Sequence, residues 1–256
     1  MLKLSDYTAL YSPEDLAYAQ SLSGPFEDLC WFGDDGVCIA GKKDGRITGF
    51  WRPVVVFGDE KTQKLCIEAL WQDSQDILYE DYLAGGVLSP ISKFLLRHNY
   101  RAVPHYVQVV DLRNEHDMHA GLRRSYRSLV TKASGISECD VMEMRVLHKA
   151  VKGDTRPIAT WEIQEQMQTL CLMDTDHGCT VMFYYNDTWA YYASAAGPNT
   201  HACIWQALLA LRDRGVKYCE MGTQEYHGPD KAVGISKFKA GFSGRTEVRL
   251  LLERSL

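Results

Sequence analysis

Gly234-Ile-Ser-Lys-Phe-Lys-Ala-Gly-Phe242 sets two lysines and two phenylalanines close together, shortly before a last apolar run. In an extended strand, residues two apart share a face. The spacing therefore predicts Lys237 and Lys239 on one side, with Phe238 anchoring the other. Lysines are seldom fully buried without a partner, so such a ledge faces an anion or charge that develops in a reaction. The alternative is a solvated edge strand whose lysines block edge-to-edge pairing.

Upstream, Val216-Lys-Tyr-Cys-Glu-Met221 reads as a strand that ends with Glu220 just before Gly222. Strand ends that open onto a connection are common places for ligand groups. There Glu220 orients an amine, acts as a general base if burial raises its pKa, or pairs with Lys237 or Lys239. In Trp189-Ala-Tyr-Tyr-Ala-Ser-Ala-Ala196, alternation puts Trp189, Tyr191 and Ala193 on one face and Tyr192 and Ser194 on the other. Small residues at the end of this strand let a ligand approach the backbone, and Tyr192 is the candidate it offers. Core packing accounts for its aromatics equally well.

Further out, mixed α and β patterns alternate along the chain. Ser12-Pro13 opens a helix, with Ser12 as the cap. Lys43-Asp44-Gly45 turns a hairpin, Val54 to Phe57 extends a sheet, and helices follow over 62–70 and 89–98. Tyr106 to Leu112 is a strand. Glu115 to Ser134 reads as one helix with Leu122, Tyr126, Leu129 and Val130 along one side, and Thr160 to Met173 as another. A hairpin over 178–195, a helix from Cys203 to a cap at Gly215, and a strand over 246–252 complete the order. The expectation is an α/β (α+β) chain of two similar domains, 1–105 and 106–256, each a mixed, mostly antiparallel sheet flanked by helices.

The composition is that of a folded globular chain: 256 residues, 46% apolar, 24% charged, net charge -5. No run reaches the ~20 apolar residues of a spanning helix, and the N-terminus lacks the apolar stretch of a signal peptide, so a cytoplasmic location is expected. The acidic balance argues against general nucleic-acid affinity, DNA included. The basic residues nevertheless cluster: Arg123, Arg124, Arg127 and Lys132 occur without an intervening acid. Like charges four apart on a helix repel mildly, so an external anion, or acids elsewhere in the fold, must compensate them. The eight cysteines include no Cys-x-x-Cys pair, and His116-Asp-Met-His119 reads as a polar connection, so no metal is expected. Nucleophile-elbow, phosphate-loop and dinucleotide fingerprints are missing as well.

Three segments together resemble the Fem-like branch of the GNAT acyltransferase superfamily: Leu122-Arg-Arg-Ser-Tyr-Arg-Ser-Leu-Val130, the small-residue strand running through Gly197-Pro-Asn to Ile204-Trp-Gln-Ala-Leu208, and Gly234 to Phe242. The likeness covers roughly the second half of the chain. It implies tandem GNAT-like domains and transfer of an acyl or aminoacyl group to an amine of a sugar-nucleotide or cell-envelope precursor, nucleotide-linked or lipid-linked. The resemblance maps the functional lysine onto Lys239, as stabiliser of the oxyanion. Lys237, Phe238, Arg123, Arg124 and Arg127 then hold substrate, and Glu220 or Tyr192 handles the acceptor proton. No tightly bound cofactor is implied, and the acyl donor is aminoacyl-tRNA or acyl-CoA. The turn Ala196-Gly-Pro-Asn-Thr-His-Ala-Cys203 departs from the CoA pyrophosphate pattern, and Pro198 removes a backbone donor. The other readings are an acyl-CoA-dependent N-acetyltransferase and an inactive GNAT-fold binding module.

Overall fold

The computed structural model describes residues 13–33, 35–50, 52–83, 86–131 and 135–255. The expected cap Ser12 and the basic Lys132 lie outside them. The described chain divides into two compact units, one containing Asp15–Tyr106 together with the segment from Val248 onward, the other Val107–Glu247. Among the described residues no helix is long and apolar enough to cross a membrane.

In the first unit the expected hairpin turns through Asp44 and Gly45, both at positive φ, as a tight turn requires. Helix Glu60–Asp73 starts on the side chain of Asp59, and helix Pro90–Arg97 on Ser89 with proline in its first turn. Ile47, Ile67, Leu95 and Leu252 belong to the core. The short strand Tyr79–Asp81 pairs antiparallel with the C-terminal strand, Tyr79 opposite Leu252.

A buried ionic cluster lies beside that pairing. Glu80, 5% exposed, takes Nδ1 of His105 at 2.6 Å and Nη1 of Arg249 at 3.3 Å. Arg249 is itself 3% exposed and its guanidinium lies over Tyr82. Burial pushes the Glu80 carboxyl up, but the His105 and Arg249 interactions together outweigh it and leave the pKa lowered. Removing one member of a buried ionic cluster leaves charge unpaired.

In the second unit the sheet order is Ile136–Cys139, Thr169–Asp174, Cys179–Tyr185, Trp189–Ala196, Tyr218–Thr223, then the end of strand Tyr100–Asp111. Each neighbouring pair in that order is antiparallel except Trp189–Ala196 with Tyr218–Thr223. This is the mixed, mostly antiparallel α/β class that was expected. Helix His201–Asp213 packs one face, its Ile204, Leu208 and Leu211 meeting Val181, Phe183 and Met221 in the core.

Two expected helices differ. The helix over 115–134 is two short ones, Glu115–Gly121 and Arg124–Val130. Between them Leu122 forms an isolated bridge to Phe242, and the side chain of Ser243 fills the space a Cβ on Gly121 would need. The helix over 160–173 is Ile158–Gln166 followed by strand Thr169–Asp174. Leu170, Cys171 and Leu172 are all buried, so this strand carries no apolar alternation to distinguish it from a helix. A further helix, Val141–Lys152, is opened by a reciprocal capping box between Asp140 and Glu143.

Replacing Glu80 with Gln should lower unfolding stability by about 3–5 kcal/mol, read from urea denaturation. In the unaltered chain the Glu80 contribution should be fully present above the ordinary carboxyl value of about 4.3. It should be lost as pH falls through the lowered folded value, and the Gln variant should lack that acid limb.

Candidate active site

Gly234 to Lys239 is not a strand. It forms the end of helix Asp230–Lys239, with Asp230 in the first turn and both lysines in the last, a charge order that suits the helix dipole. At about 100° per residue Lys237 and Lys239 diverge, so the expected shared ledge is replaced by one exposed lysine, Lys237, and one half-buried lysine, Lys239. Phe238 and Phe242 do anchor the segment. Their rings are 5.2 Å apart, and both pack against Tyr126 and His201. Gly241 is required at the turn, because a Cβ there would lie 2.6 Å from Cζ of Tyr126.

The Lys239 side chain leads to an interruption in the sheet. Strands Trp189–Ala196 and Tyr218–Thr223 run parallel but pair only as Trp189 with Tyr218, Ala190 with Cys219 and Tyr191 with Glu220. The register of Tyr218–Thr223 against its other neighbour shifts between Glu220 and Gly222, and Gly222 has φ +88. A bulge of this kind ends regular pairing and re-aims the backbone. A Cβ on Gly222 would stand 3.0 Å from Nζ of Lys239 and 3.8 Å from the hydroxyl of Tyr191. An amine and a phenol thus converge on space kept open by a glycine.

Glu220, 7% exposed, shares the Tyr191 face by register. Burial lowers the pKa of Lys239, and the Glu220 charge opposes it without cancelling it. The candidate Tyr192 lies on the opposite face. Its ring packs 5.3 Å from Phe183 as a partly buried residue against the core, and burial pushes its phenol up. Alternation placed Tyr191 and Tyr192 on opposite faces as found, and the cross-strand register makes Tyr191 the one beside Lys239.

The arginines also depart from expectation. Arg123 donates to the carbonyl of Lys237 at 2.6 Å and stacks on Tyr126, while Arg127 donates to the carbonyl of Ala120 at 2.8 Å. The negative groups they meet are carbonyls in the last turns of two helices. Arg124 is exposed.

A basic group that the sequence reading missed stands on the far part of strand Trp189–Ala196. Lys152 donates to the carbonyl of Ala195, and Arg156 reaches the hydroxyl of Ser194 at 3.4 Å. Burial, Arg156 and Lys231 lower the Lys152 pKa. Burial, Arg156 and Lys152 bring that of the buried His148 down to about 4. Arg156 also borders a hollow of about 480 Å³ with Arg145 and Lys149. Lys231 opens the helix that Lys239 closes, about 12 Å apart along its axis. The legible signal was the capping box, which places His148 and Lys152 one turn apart on a single helix.

No family model matches the sequence, and no curated protein matches it. Solved structures do. FemX shares 10% identity over 94% of this chain and 96% of its own, with a TM-score of 0.63. A C-terminal domain assigned to lysylphosphatidylglycerol synthetase from Agrobacterium fabrum shares 12% over 97% and 89%, also at 0.63. L-PGS from Bacillus licheniformis shares 11% over 94% and 86%, at 0.61. At such identities the likeness establishes a fold. It is the Fem-like fold that the three sequence segments resembled.

Gly222→Ala should cost about 1–2 kcal/mol through its positive φ and should push Lys239 aside. Acylation kinetics at Lys239, followed by peptide mass spectrometry against pH, should then report an amine pKa closer to the ordinary lysine value than in the unaltered chain.

Proposed function

We propose that this protein transfers an acyl or aminoacyl group to an amine of a phosphate-bearing sugar-nucleotide or envelope precursor, at the Gly222 opening. The observation that carries the reading is the half-buried Lys239 amine aimed at space a glycine leaves free, where the parallel strands Trp189–Ala196 and Tyr218–Thr223 part. The fold supports it, being shared with FemX and with a domain whose assigned name joins lysine to a phospholipid.

The acceptor amine attacks the acyl carbonyl, and negative charge grows on the carbonyl oxygen. An ammonium that burial has left under-compensated is a strong fixed donor for that oxygen. Glu220 supports the charge on Lys239 before the substrate arrives. The proton lost by the attacking nitrogen passes to the donor's oxygen or sulfur as collapse of the tetrahedral intermediate expels it, so that an amide and a free hydroxyl or thiol result. Lys152, Arg156 and Lys231 hold phosphates, the task first expected of Arg123, Arg124 and Arg127. The donor is an aminoacyl-tRNA in the first reading. Acyl-CoA is the second, favoured by one feature: Thr200 makes no side-chain capping bond at the start of helix His201–Asp213, which leaves first-turn amides for a pyrophosphate. Calorimetry with charged tRNA against acetyl-CoA separates the two.

Lys239→Met should reduce kcat about 10²–10³-fold with KM little changed, whereas Arg156→Ala should raise KM and leave kcat near its original value. Lys239 acts as the ammonium, so turnover should decline as pH rises through its lowered pKa. Glu220→Gln removes the charge that raises this pKa and should move the basic limb to lower pH. A rate that climbs through the same range would make Lys239 a base and overturn its assignment as oxyanion stabiliser.

A further inference from the structure

We infer that Asp174, Cys179 and Cys203 form a binding site for one thiophilic divalent cation, zinc by ligand chemistry, away from the Lys239 opening. Four residues separate Asp174 from Cys179, but Cys203 is too far along the chain to be read with them as a ligand set. The fold brings them together: strands Thr169–Asp174 and Cys179–Tyr185 meet at a turn that places Asp174 opposite Cys179, and Cys203 enters from the first turn of helix His201–Asp213. One ligand atom from each lies within 4.8 Å of the other two.

The geometry suits a tetrahedral ion. Two thiolates bound to one zinc at 2.3 Å stand about 3.8 Å apart, and the two sulfurs here are 3.6 Å apart. All three residues are buried, at 3%, 1% and 0% exposure. Ionising both thiols in such a place needs a compensating cation, and a soft dithiolate set selects zinc over magnesium or calcium. The Asp174 carboxylate accepts from the backbone N–H of His177 at 3.0 Å and lies 2.9 Å from its Nδ1. An ionised carboxylate keeps further lone pairs, so His177 is placed as the outer partner that orients a ligating carboxylate. The 175–177 turn is exposed and gives an ion a way in. Binding replaces two thiol protons with two metal–sulfur bonds and releases both protons to solvent. The fourth position falls to water.

The test uses the full chain, reduced, stripped of metal and titrated with Co²⁺ as the spectroscopic probe. One equivalent should produce thiolate-to-cobalt charge-transfer absorption with tetrahedral visible bands, and one equivalent of Zn²⁺ should abolish both. Native mass spectrometry of the unaltered protein should show one zinc added and two protons lost. Cys179→Ser and Cys203→Ser should each remove the bands. Asp174→Asn, whose amide oxygen still accepts from the turn, should weaken binding at least tenfold with the circular dichroism unchanged. Cys38→Ser should retain the bands. The inference is overturned if Co²⁺ gives no saturable band, if the band disappears in Cys38→Ser, if Asp174→Asn binds as tightly as the unaltered chain, or if non-reducing peptide mapping finds Cys179 and Cys203 joined as a disulfide.

Discussion

A parallel pairing only three residues long governs the second unit. Two adjacent strands with continuous hydrogen bonding leave no room between their backbones. Here pairing of Trp189–Ala196 with Tyr218–Thr223 ends at Tyr191 and Glu220, because the bulge and the positive φ of Gly222 turn one strand away. The amide and carbonyl groups freed by that parting must find other partners, and Lys152 supplies one by donating to Ala195. The opening therefore carries its own demand for polar and cationic neighbours. It also sets the field around Lys239, which is half-buried against Gly222 with Glu220 near enough to oppose the cost of its charge.

The helix that brings Lys239 there is held mostly by apolar contact. Phe238 and Phe242 close around Tyr126 and His201, and Arg123 ties the last turn through the Lys237 carbonyl. Aromatic clusters of this sort combine large buried area with directional ring packing. These contacts fix the helix end from which the Lys239 side chain departs. Arg123 thus ties the end of the helix that carries Lys239, where the sequence suggested contact with a phosphate.

Much of the fold was legible because local rules agree with it. Asp44-Gly45 turns, Ser89-Pro90 opens a helix, and Gly215 ends one at positive φ. The failures fall where tertiary contact overrides local pattern. Thr169–Asp174 is almost wholly buried and shows no alternation. Leu122 leaves a helical run to bridge Phe242. Lys237-Phe-Lys239 carries a strand-like alternation within a helix whose amphipathic stripe is weak. For the candidate site, Lys239 and Glu220 were legible as candidates, Lys239 through the resemblance and Glu220 from its place at a strand end, whereas Lys152, Arg156 and Lys231 come from separate segments and meet only around the parted strand.

The sequence by itself determined the residue types and the class: a mixed α/β chain, a lysine and a glutamate beside two glycine turns, cysteines without a local ligand motif, and three segments of Fem-like character. Periodicity and turn chemistry act over a few residues, so they can be read along the chain. Tertiary structure alone decided that Tyr191 rather than Tyr192 stands beside Lys239, that Arg123 and Arg127 meet carbonyls, and that Cys179 and Cys203 touch. Each of these depends on register between strands or on the approach of a helix distant in sequence, and those are fixed by burial of the whole core, not by any one segment.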